Sequence, residues 1–408
     1  MLYTKQEVQD YVKEEDVKFI RLAFCDVFGT PKNISILPGE LSRAFEYGIS
    51  FDASAIRCFG SEEKSDLFLF PDPSTLSLLP WRPSHGRVVR MFCDIKHPDG
   101  TPFELDTRYI LKKAIREAKD AGIMCYFGPE FEFYLFKTDE TGLPTNIPFD
   151  NAGYMDMAPE DAGENVRREI CLTLEEMGII PESSHHEEGP GQNEIDFRYS
   201  DALSSADNAV TFKTVVKTAA SRNGLYASFD PKPIPDKSGN GMHINMSPVS
   251  LNTLNNKDFF KAFMAGIMAH IYDITLFLNP SEGSYRRLGG HKAPKYITWS
   301  PENRSQLIRI PADDKSRLRI ELRSPDALSN PYMAYALLIY SGLDGIKNNL
   351  TPPPSTDINL YSAGSETLKL FKMLPSSLKE SIKAMKESSF VRNHIPAAIL
   401  EAYENLLF

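Results

Sequence analysis

The order of the predicted elements indicates an α+β protein with a sheet-rich amino-terminal domain, residues 1–100, and a larger mixed domain, residues 101–408. Short strand-like runs separated by Pro-rich turns fill the first domain. In the second domain, longer segments of helical spacing are interspersed with alternating strand patterns. A chain of 408 residues is long enough to form two domains with a substantial core.

The strands of the first domain are predicted from β-branched and aromatic runs between turn signals. These runs are Val17–Val27, Lys32–Leu37, Leu67–Phe70, Leu76–Leu79 and Val88–Asp94. In the second domain Asp106 stands at an N-cap position. Helices are predicted there at Thr107–Ala121, Gly163–Met177, Ala202–Asn223, Phe259–Asn279 and Pro331–Lys347. Strands are predicted at Phe127–Phe136, Glu194–Tyr199, Gly241–Ser247 and Lys315–Arg323.

The composition is that of an ordinary soluble enzyme, with 42% apolar residues, 25% charged residues and a net charge of −10. We find no apolar run long enough to span a bilayer, and the charged amino terminus lacks the apolar region of a secretory signal. The five cysteines show no CxxC spacing, which favours free thiols in a reducing compartment. The sequence therefore predicts a cytoplasmic protein that binds neither nucleic acid nor membrane.

Two carboxylates stand two residues apart in the strand Phe127–Phe136. Residues i and i+2 of a strand share a face, so Glu130 and Glu132 project side by side from an apolar surface. Buried carboxylates need a countercharge, and a divalent metal is the largest one available. The alternative is a solvated edge strand with two exposed glutamates.

A second acidic cluster lies in His185–Phe197, where a Gly/Pro-rich hinge separates Glu187 from a strand. Glu194 and Asp196 share a face of that strand, and Glu187 could fold back beside Glu194. This pattern fits a metal loop, but it also fits a polar hairpin. His243 follows glycines that permit close approach of a ligand, although a lone histidine on a strand is more often structural.

The third cluster alternates basic and apolar residues from residue 315 to residue 323. Alternation predicts Leu318, Ile320 and Leu322 in the core. The residues predicted on the opposite face are Arg317, Arg319, Glu321 and Arg323. Together with Arg304 and Arg309 upstream, these guanidiniums suit a polyanion held against a metal. A solvated amphipathic strand with surface ion pairs is the alternative.

An ordered set of motifs resembles the glutamine synthetase family over nearly the whole chain. The motifs are Phe51-Asp52-Ala53-Ser54, Gly128-Pro129-Glu130-Phe131-Glu132, Gly191-Gln192-Asn193-Glu194, Gly239-Asn240-Gly241-Met242-His243, Asn303-Arg304-Ser305 and Arg319-Ile320-Glu321-Leu322-Arg323. The chain is most similar to the short bacterial type. The resemblance implies a β-grasp-like amino-terminal domain and a catalytic domain built on a curved antiparallel sheet.

The resemblance also implies a site with two or three Mg²⁺ or Mn²⁺ ions, because oxygen-rich ligation suits these metals better than zinc. The implied ligand sets are Glu132, Glu187 and Glu194 for one metal, and Glu130, His243 and Glu321 for a second. In the family reaction ATP phosphorylates the side-chain carboxylate of glutamate, and ammonia then displaces the phosphate.

The remaining implied roles fall into three groups. Arg304, Arg309 and Arg317 would neutralise the transferring phosphoryl group. Arg287, Arg323 and the backbone at Gly239 would hold glutamate. Ser247 and the segment from Lys315 to Arg317 would contact the nucleotide.

The amine side of the site departs from the family pattern. Lys292 stands where the family's flap carries the Glu that binds and deprotonates ammonium. If the geometry is retained, this exchange alters the interaction with a substrate cation by several kcal/mol. Ala55 and Ser238 also replace family residues near that pocket, whereas Asp52 and Tyr154 are kept.

Three hypotheses follow from these departures. The chain is an ordinary glutamine synthetase, in which Asp52 suffices or a desolvated Lys292 serves as base. Alternatively, it is a γ-glutamyl ligase for another amine, or a non-catalytic regulatory or assembly homologue. The residue matching Asp52 enters a neighbouring subunit's site in the family, so a homo-oligomeric ring is expected. A hexamer is expected, and the family's clasping tail has no match after Phe408, which puts a dodecameric double ring in doubt.

Overall fold

The first domain is a six-stranded sheet with two helices. The computed structural model describes residues 3–82, 84–251, 256–312 and 318–407. The first-domain elements are α1 Lys5–Glu14, β1 Val17–Cys25, β2 Pro31–Ile36, α2 Leu41–Tyr47, β3 Ile49–Asp52, β4 Asp66–Pro71, β5 Ser77–Leu78 and β6 Arg87–Lys96. The strand order is β2-β1-β6-β4-β3, with β5 on β6, and β1 and β6 are parallel. The five predicted strands of this domain are all present.

The second domain contains the remaining helices and strands. Its helices are α3 Thr107–Asp120, α4 Glu164–Glu176, α5 Ala202–Arg222, α6 Asn256–Leu278, α7 Glu282–Arg287, α8 Pro331–Lys347, α9 Ser365–Leu368, α10 Leu378–Glu387, α11 Ser389–His394 and α12 Ala397–Glu404. Its strands are β7 Ile123–Thr138, β8 Pro144–Pro148, β9 Pro181–His186, β10 Gln192–Phe197, β11 Ser200–Asp201, β12 Leu225–Ser228, β13 Met242–Ser250, β14 Trp299–Pro301, β15 Ile308–Ile310 and β16 Ile320–Leu322.

The sheet of the second domain is organised around β7, which pairs with five other strands. The main order is β14-β15-β16-β13-β7-β10-β9, and every neighbouring pair except β14 and β15 is antiparallel. The α+β fold expected from the sequence is therefore confirmed. One face of β7 packs on helices: Phe127 stacks on Tyr335 of α8 at 4.2 Å, and Phe131 stacks on Phe212 of α5 at 4.9 Å. Alternation turns Glu130 to the opposite face.

The helices α6 and α8 pack backbone to backbone beneath the sheet. A Cβ added to Gly266 would lie 2.0 Å from the Ser341 carbonyl oxygen, and one added to Gly345 would lie 2.1 Å from the Ala262 carbonyl oxygen. Within the described residues, the segment Asp258–Leu278 of α6 is long and apolar enough to cross a membrane. The expectation that no such run exists is wrong. Because 72% of its apolar window is buried inside the protein, this helix is a core helix.

Arg108 joins the two domains through three carboxylates. Its guanidinium contacts Asp72 and Asp94 of the first domain at 2.9 Å each, and Asp207 of α5 at 3.0 Å. The Tyr332 hydroxyl also donates to Asp207, at 2.6 Å. Burial opposes a charged guanidinium, but the charge and hydrogen bonds of Asp207 raise the pKa of Arg108 well above its ordinary value. The buried ion cluster therefore fixes the relative position of the domains.

Candidate active site

A cavity of about 460 Å³ opens on the polar face of the second-domain sheet. Most of the residues singled out from the sequence line it. They are Glu130, Glu132, Tyr154, Glu187, Glu194, Gly239, His243, Arg287, Lys292, Arg304, Arg309 and Arg323. These residues come from distant parts of the chain, and the sheet brings their strands side by side.

The first group of metal-donor atoms comes from three adjacent strands. Donor atoms of Glu130 on β7, His243 on β13 and Glu321 on β16 all lie within 4.8 Å of one another. His243 Nδ1 is 3.1 Å from Glu130 Oε2 and 3.9 Å from Glu321 Oε1. Burial alone would raise the pKa of Glu130, but the hydrogen bond and charge of His243 lower it to about 2. The group is the one that the resemblance implied.

A second group consists of His185, Glu187 and Glu194, whose donor atoms also lie within 4.8 Å of one another. The sequence implied Glu132 in this set. Glu132 is the register partner of Glu194 and lines the cavity, but its Oε2 accepts a hydrogen bond of 2.6 Å from the Gly241 amide. The structure therefore adds His185 to this set, and Glu132 stays a predicted ligand beside Glu194. The available signal was spacing, since His185 and Glu187 are two residues apart.

Asp196 was also missed as a candidate ligand. Its carboxylate lies within 4.8 Å of donor atoms of Glu130 and Glu194, forming a third group that overlaps the first two. In the described part of the chain, Asp196 Oδ1 is buried and has no hydrogen-bond partner. The sequence had placed Asp196 and Glu194 on one face, which was sufficient to indicate it.

The crowded carboxylates fit a divalent cation. Burial, and then the charges of Asp196 and Glu132, raise the pKa of Glu194 well above its ordinary value. Burial, and then the charge of Glu130, raise the pKa of Asp196 to about 7. Burial also opposes ionisation of Glu187, but hydrogen bonds from His185 and the Glu188 amide lower its pKa. Hard oxygen donors with at most one imidazole per group suit Mg²⁺ or Mn²⁺.

Guanidinium groups also line the cavity. Arg309 Nη1 lies 2.5 Å from Glu321 Oε2, and Arg323 Nε lies 3.0 Å from Glu321 Oε1. Arg304 is exposed at the rim. Both oxygens of Glu321 are therefore shared between guanidiniums and the first donor group. Positive side chains and the acidic cluster line one cavity, which suits an anion held between guanidiniums and metal ions.

Arg287 lies behind the glycine-rich segment and is buried. Its guanidinium donates to the backbone carbonyls of Ser324, Pro325 and Arg323. Burial lowers its pKa from the ordinary arginine value. A Cβ on Gly241 would lie 2.5 Å from Arg287 Nη2, so glycine is required for this approach.

The flap residue Lys292 turns into the cavity from a turn closed by the hydrogen bond from the Gly289 amide to the Ala293 carbonyl. Its ammonium forms an ion pair with Glu188 and lies 5.1 Å from the centre of the Tyr154 ring. Ser238 Oγ donates to the other oxygen of Glu188 at 3.2 Å. Lys292 is half exposed, which does not fit a desolvated lysine base. Glu188, which no sequence motif indicated, compensates its charge.

Asp52, Ser247 and Glu321 do not line this cavity, although Glu321 belongs to the first donor group, and two further predicted site residues lie outside the described part of the chain. Asp52 is exposed on β3, where its Oδ1 accepts hydrogen bonds from Ser54 Oγ at 2.6 Å and the Ser54 amide at 2.9 Å. Those bonds lower the pKa of Asp52. Ser247 lies on β13 and does not line the cavity. Lys315 and Arg317 fall in the segment that is not described. Leu318, predicted in the core, is 41% exposed.

The fold and the site define a two-domain enzyme of the ligase class. The chain matches the family model "Glutamine synthetase, beta-Grasp domain" over residues 16–98 and the model "Glutamine synthetase, catalytic domain" over residues 104–406. It belongs to the glutamine synthetase family, as its motifs predicted, and is a glutamine synthetase-like ligase. The family in general depends on ATP and divalent metals and acts on small molecules.

Several relatives are similar over nearly their whole length. The chain is 47% identical to the glutamine synthetase of Clostridium saccharobutylicum over 402 residues, which cover 96% of this chain and 91% of that protein. It is 45% identical to the glutamine synthetase of Methanosarcina mazei, with 98% and 92% covered. A solved structure titled "GmaS/ADP complex-Conformation 1" superposes with a TM-score of 0.87 at 29% identity, covering 97% of this chain and 93% of that one.

Proposed function

We propose that the protein joins glutamate to ammonia in an ATP-dependent reaction that proceeds through γ-glutamyl phosphate. The observation that carries the proposal is the meeting of overlapping carboxylate groups and a wall of guanidiniums around one cavity. Phosphoryl transfer to a carboxylate brings several negative charges together, and their stabilisation is the main catalytic requirement. A non-catalytic homologue has no need to keep such a costly cluster of acids.

In the first step, the terminal phosphoryl group of ATP passes to a side-chain oxygen of glutamate, and ADP leaves. Bound Mg²⁺ or Mn²⁺ would neutralise phosphate oxygens, held by the groups Glu130–His243–Glu321 and His185–Glu187–Glu194 with Glu132 and Asp196 beside them. Arg304 and Arg309 point at the same space and add positive charge.

Glutamate would be held by Arg287 and Arg323 with the backbone at Gly239. Arg287 suits this role because its partners are neutral carbonyls, which leave its positive charge uncompensated by direct ion pairs among the described residues. For the nucleotide we retain Ser247, Lys315 and Arg317, on the strength of the motif alone.

In the second step, the nitrogen lone pair attacks the acyl carbon, the C–N bond forms, and the C–O bond to phosphate breaks. The ammonium ion must first lose a proton. The acceptor that we propose is Asp52 of a neighbouring subunit, since in this chain Asp52 is exposed on the first domain and outside the cavity. This requires a homo-oligomeric ring, either single or double.

Five free cysteines favour the cytoplasm.

A second candidate function is amide formation with another amine. The specific observation is that Lys292, a primary alkylammonium, occupies the amine side of the cavity against Glu188 and Tyr154. A site that accommodates this group is suited to an alkylamine as well as to ammonium.

Phosphate release tests the proposal. Protein is incubated with ATP, glutamate and Mg²⁺, and with ammonium or one of a panel of amines. We expect release that requires all components, and a glutamyl amide identified by mass spectrometry. Preference for ammonium supports the first function, and a strong response to one amine supports the second. Nucleotide binding without release under any condition contradicts both.

A further inference from the structure

Glu188 projects into the cavity from the loop between β9 and β10, next to the second donor group. One oxygen of its carboxylate contacts the Lys292 ammonium, and the other accepts the hydrogen bond from Ser238 Oγ. The side chain is 34% exposed, so it remains available to a small molecule that enters the cavity. The backbone that carries it is fixed, since the Gly189 amide donates to Gln192 Oε1 at 3.0 Å.

The surroundings of the Lys292 ammonium are those of a binding site for a primary ammonium ion. A carboxylate supplies the countercharge, and the Tyr154 ring lies 5.1 Å away on another side. An aromatic face and an anion together are the recurrent means of binding alkylammonium ions. The Tyr154 ring is itself held edge-on against His185, with ring centres 5.4 Å apart.

Lys292 comes from a turn whose backbone directs it into this space. His291 and Lys292 both have positive φ, 44° and 64°. Non-glycine residues adopt this region at a cost, so the turn holds the side chain in one direction. The carbonyl of Lys292 also accepts a hydrogen bond from Arg323 Nη1 at 3.3 Å.

We infer that Glu188, Tyr154 and Ser238 form a subsite for the amine acceptor, specific for a primary alkylammonium ion, which Lys292 occupies as a tethered competitor. The inference rests on the second candidate function, amide formation with another amine, and names the class of that amine. Methylenes of the acceptor lie along the Tyr154 ring in the place now taken by the lysine stem, and Glu188 holds the cationic head. Ammonium has no methylenes to contribute and binds the subsite more weakly.

Displacement of Lys292 is feasible because each of its contacts is weak. A half-exposed ion pair and an exposed cation–π contact are each modest interactions. The tether, however, gives the side chain a high effective concentration, so it lowers the apparent affinity for a free amine. Removing the ammonium of Lys292 should therefore strengthen amine binding, and removing the charge of Glu188 should weaken it.

The test is isothermal titration of propylammonium chloride, methylammonium chloride and ammonium chloride into the full-length protein with glutamate and Mg²⁺ but no ATP. For Lys292→Met we expect about tenfold tighter binding of propylammonium. For the double variant Lys292→Met with Glu188→Gln we expect this gain to be lost. Lys96→Met serves as a matched control, because Lys96 lies 4.3 Å from the centre of the Phe70 ring in the first domain.

Equal affinity of wild type and Lys292→Met for all three cations would overturn the inference, as would a gain that survives Glu188→Gln. The control for the second substitution is Glu366→Gln, which removes an exposed carboxylate paired with Lys369. Tight propylammonium binding without phosphate release would contradict the proposed function and support the subsite. Ammonium-dependent phosphate release without any propylammonium binding would contradict the subsite and leave the proposed function supported.

Discussion

At the scale of single residues, Glu130 is central to the site, because its carboxylate, like that of Glu194, belongs to two of the overlapping donor groups. It also accepts hydrogen bonds from His243 Nδ1 at 3.1 Å and Asn245 Nδ2 at 2.8 Å. Glu130→Gln removes a negative charge from both groups. We expect the affinity for Mn²⁺ to fall by at least about a hundredfold, measured by electron paramagnetic resonance of free Mn²⁺.

Asp344→Asn provides the control for this measurement. Asp344 pairs with His270 at 2.7 Å, away from the cavity, so its loss should leave Mn²⁺ affinity unchanged. If Glu130→Gln bound Mn²⁺ as tightly as wild type, the assignment of these carboxylates to a metal would be wrong.

Sequence reasoning missed some residues of the site because spacing along the chain does not fix the three-dimensional position of a side chain. Glu188 and His185 each follow or precede a stronger candidate, and one-dimensional spacing does not tell which of several adjacent polar side chains turns inward. Asp196 was placed on the right face, but its approach to Glu130 depends on the register between β10 and β7. Leu318 was misplaced because alternation was extended beyond β16, which begins at Ile320.

At the scale of elements, the N-cap of α3 gives a pH-dependent contribution to stability. Asp106 accepts hydrogen bonds from the Arg108 amide at 2.9 Å and the Ile95 amide at 3.2 Å. Burial, and then the charge of Asp94, raise the pKa of Asp106 to about 6. From about pH 4 to pH 6 the native state keeps a proton that the unfolded state has lost, so this group's contribution to stability falls as pH rises.

The side chain introduced by Asp106→Asn cannot titrate, so its contribution to stability should not fall as pH rises. The free energy of unfolding of wild type relative to Asp106→Asn should decrease by about 2 kcal/mol between pH 4 and pH 6.5, measured by denaturant titration. Asp99→Asn is a control of opposite sign, because hydrogen bonds from Thr101 lower the pKa of Asp99. A difference between wild type and Asp106→Asn that stayed constant with pH would refute the account.

Periodicity predicted the elements with strong patterns. The helices α3, α4, α5, α6 and α8 lie within a few residues of their expected bounds. The elements that were missed have little contrast between faces: β3 has four residues, and β9, Pro181–His186, is almost entirely polar. Such strands form because neighbours in the sheet supply hydrogen bonds, which local sequence does not encode.

At the scale of the whole molecule, the exposed position of Asp52 makes a prediction about shared sites. Asp52→Ala and His243→Ala should each be nearly inactive. Mixed rings assembled from both variants should recover roughly a quarter of wild-type activity, because one site in four receives both intact residues. Mixing His243→Ala with Arg309→Ala is the control, since both residues line the same chain's cavity and no intact site can form. Lack of recovery in the first mixture would show that Asp52 does not act in a neighbouring subunit's site.

The assembly of the site was predictable from the sequence only through the set of motifs taken together. Spacing showed that acids and guanidiniums belonged to strands. It did not show that β7, β13 and β16 are neighbours, which depends on long-range pairing. The Lys292 pair is a further instance: charge repulsion was expected at the flap, and a residue far away in sequence cancels it.

The three-carboxylate cluster around Arg108 has a consequence for the proposed ring of subunits. It fastens the domain bearing Asp52 to the helices beneath the sheet. If Asp52 completes the site of a neighbouring subunit, a substitution at Arg108 that displaces the first domain would leave its own chain's site intact. It would instead inactivate the site of the next subunit in the ring. In mixed assemblies, a subunit that lacks Arg108 would then act as a dominant defect, because it inactivates the site of an otherwise intact neighbour.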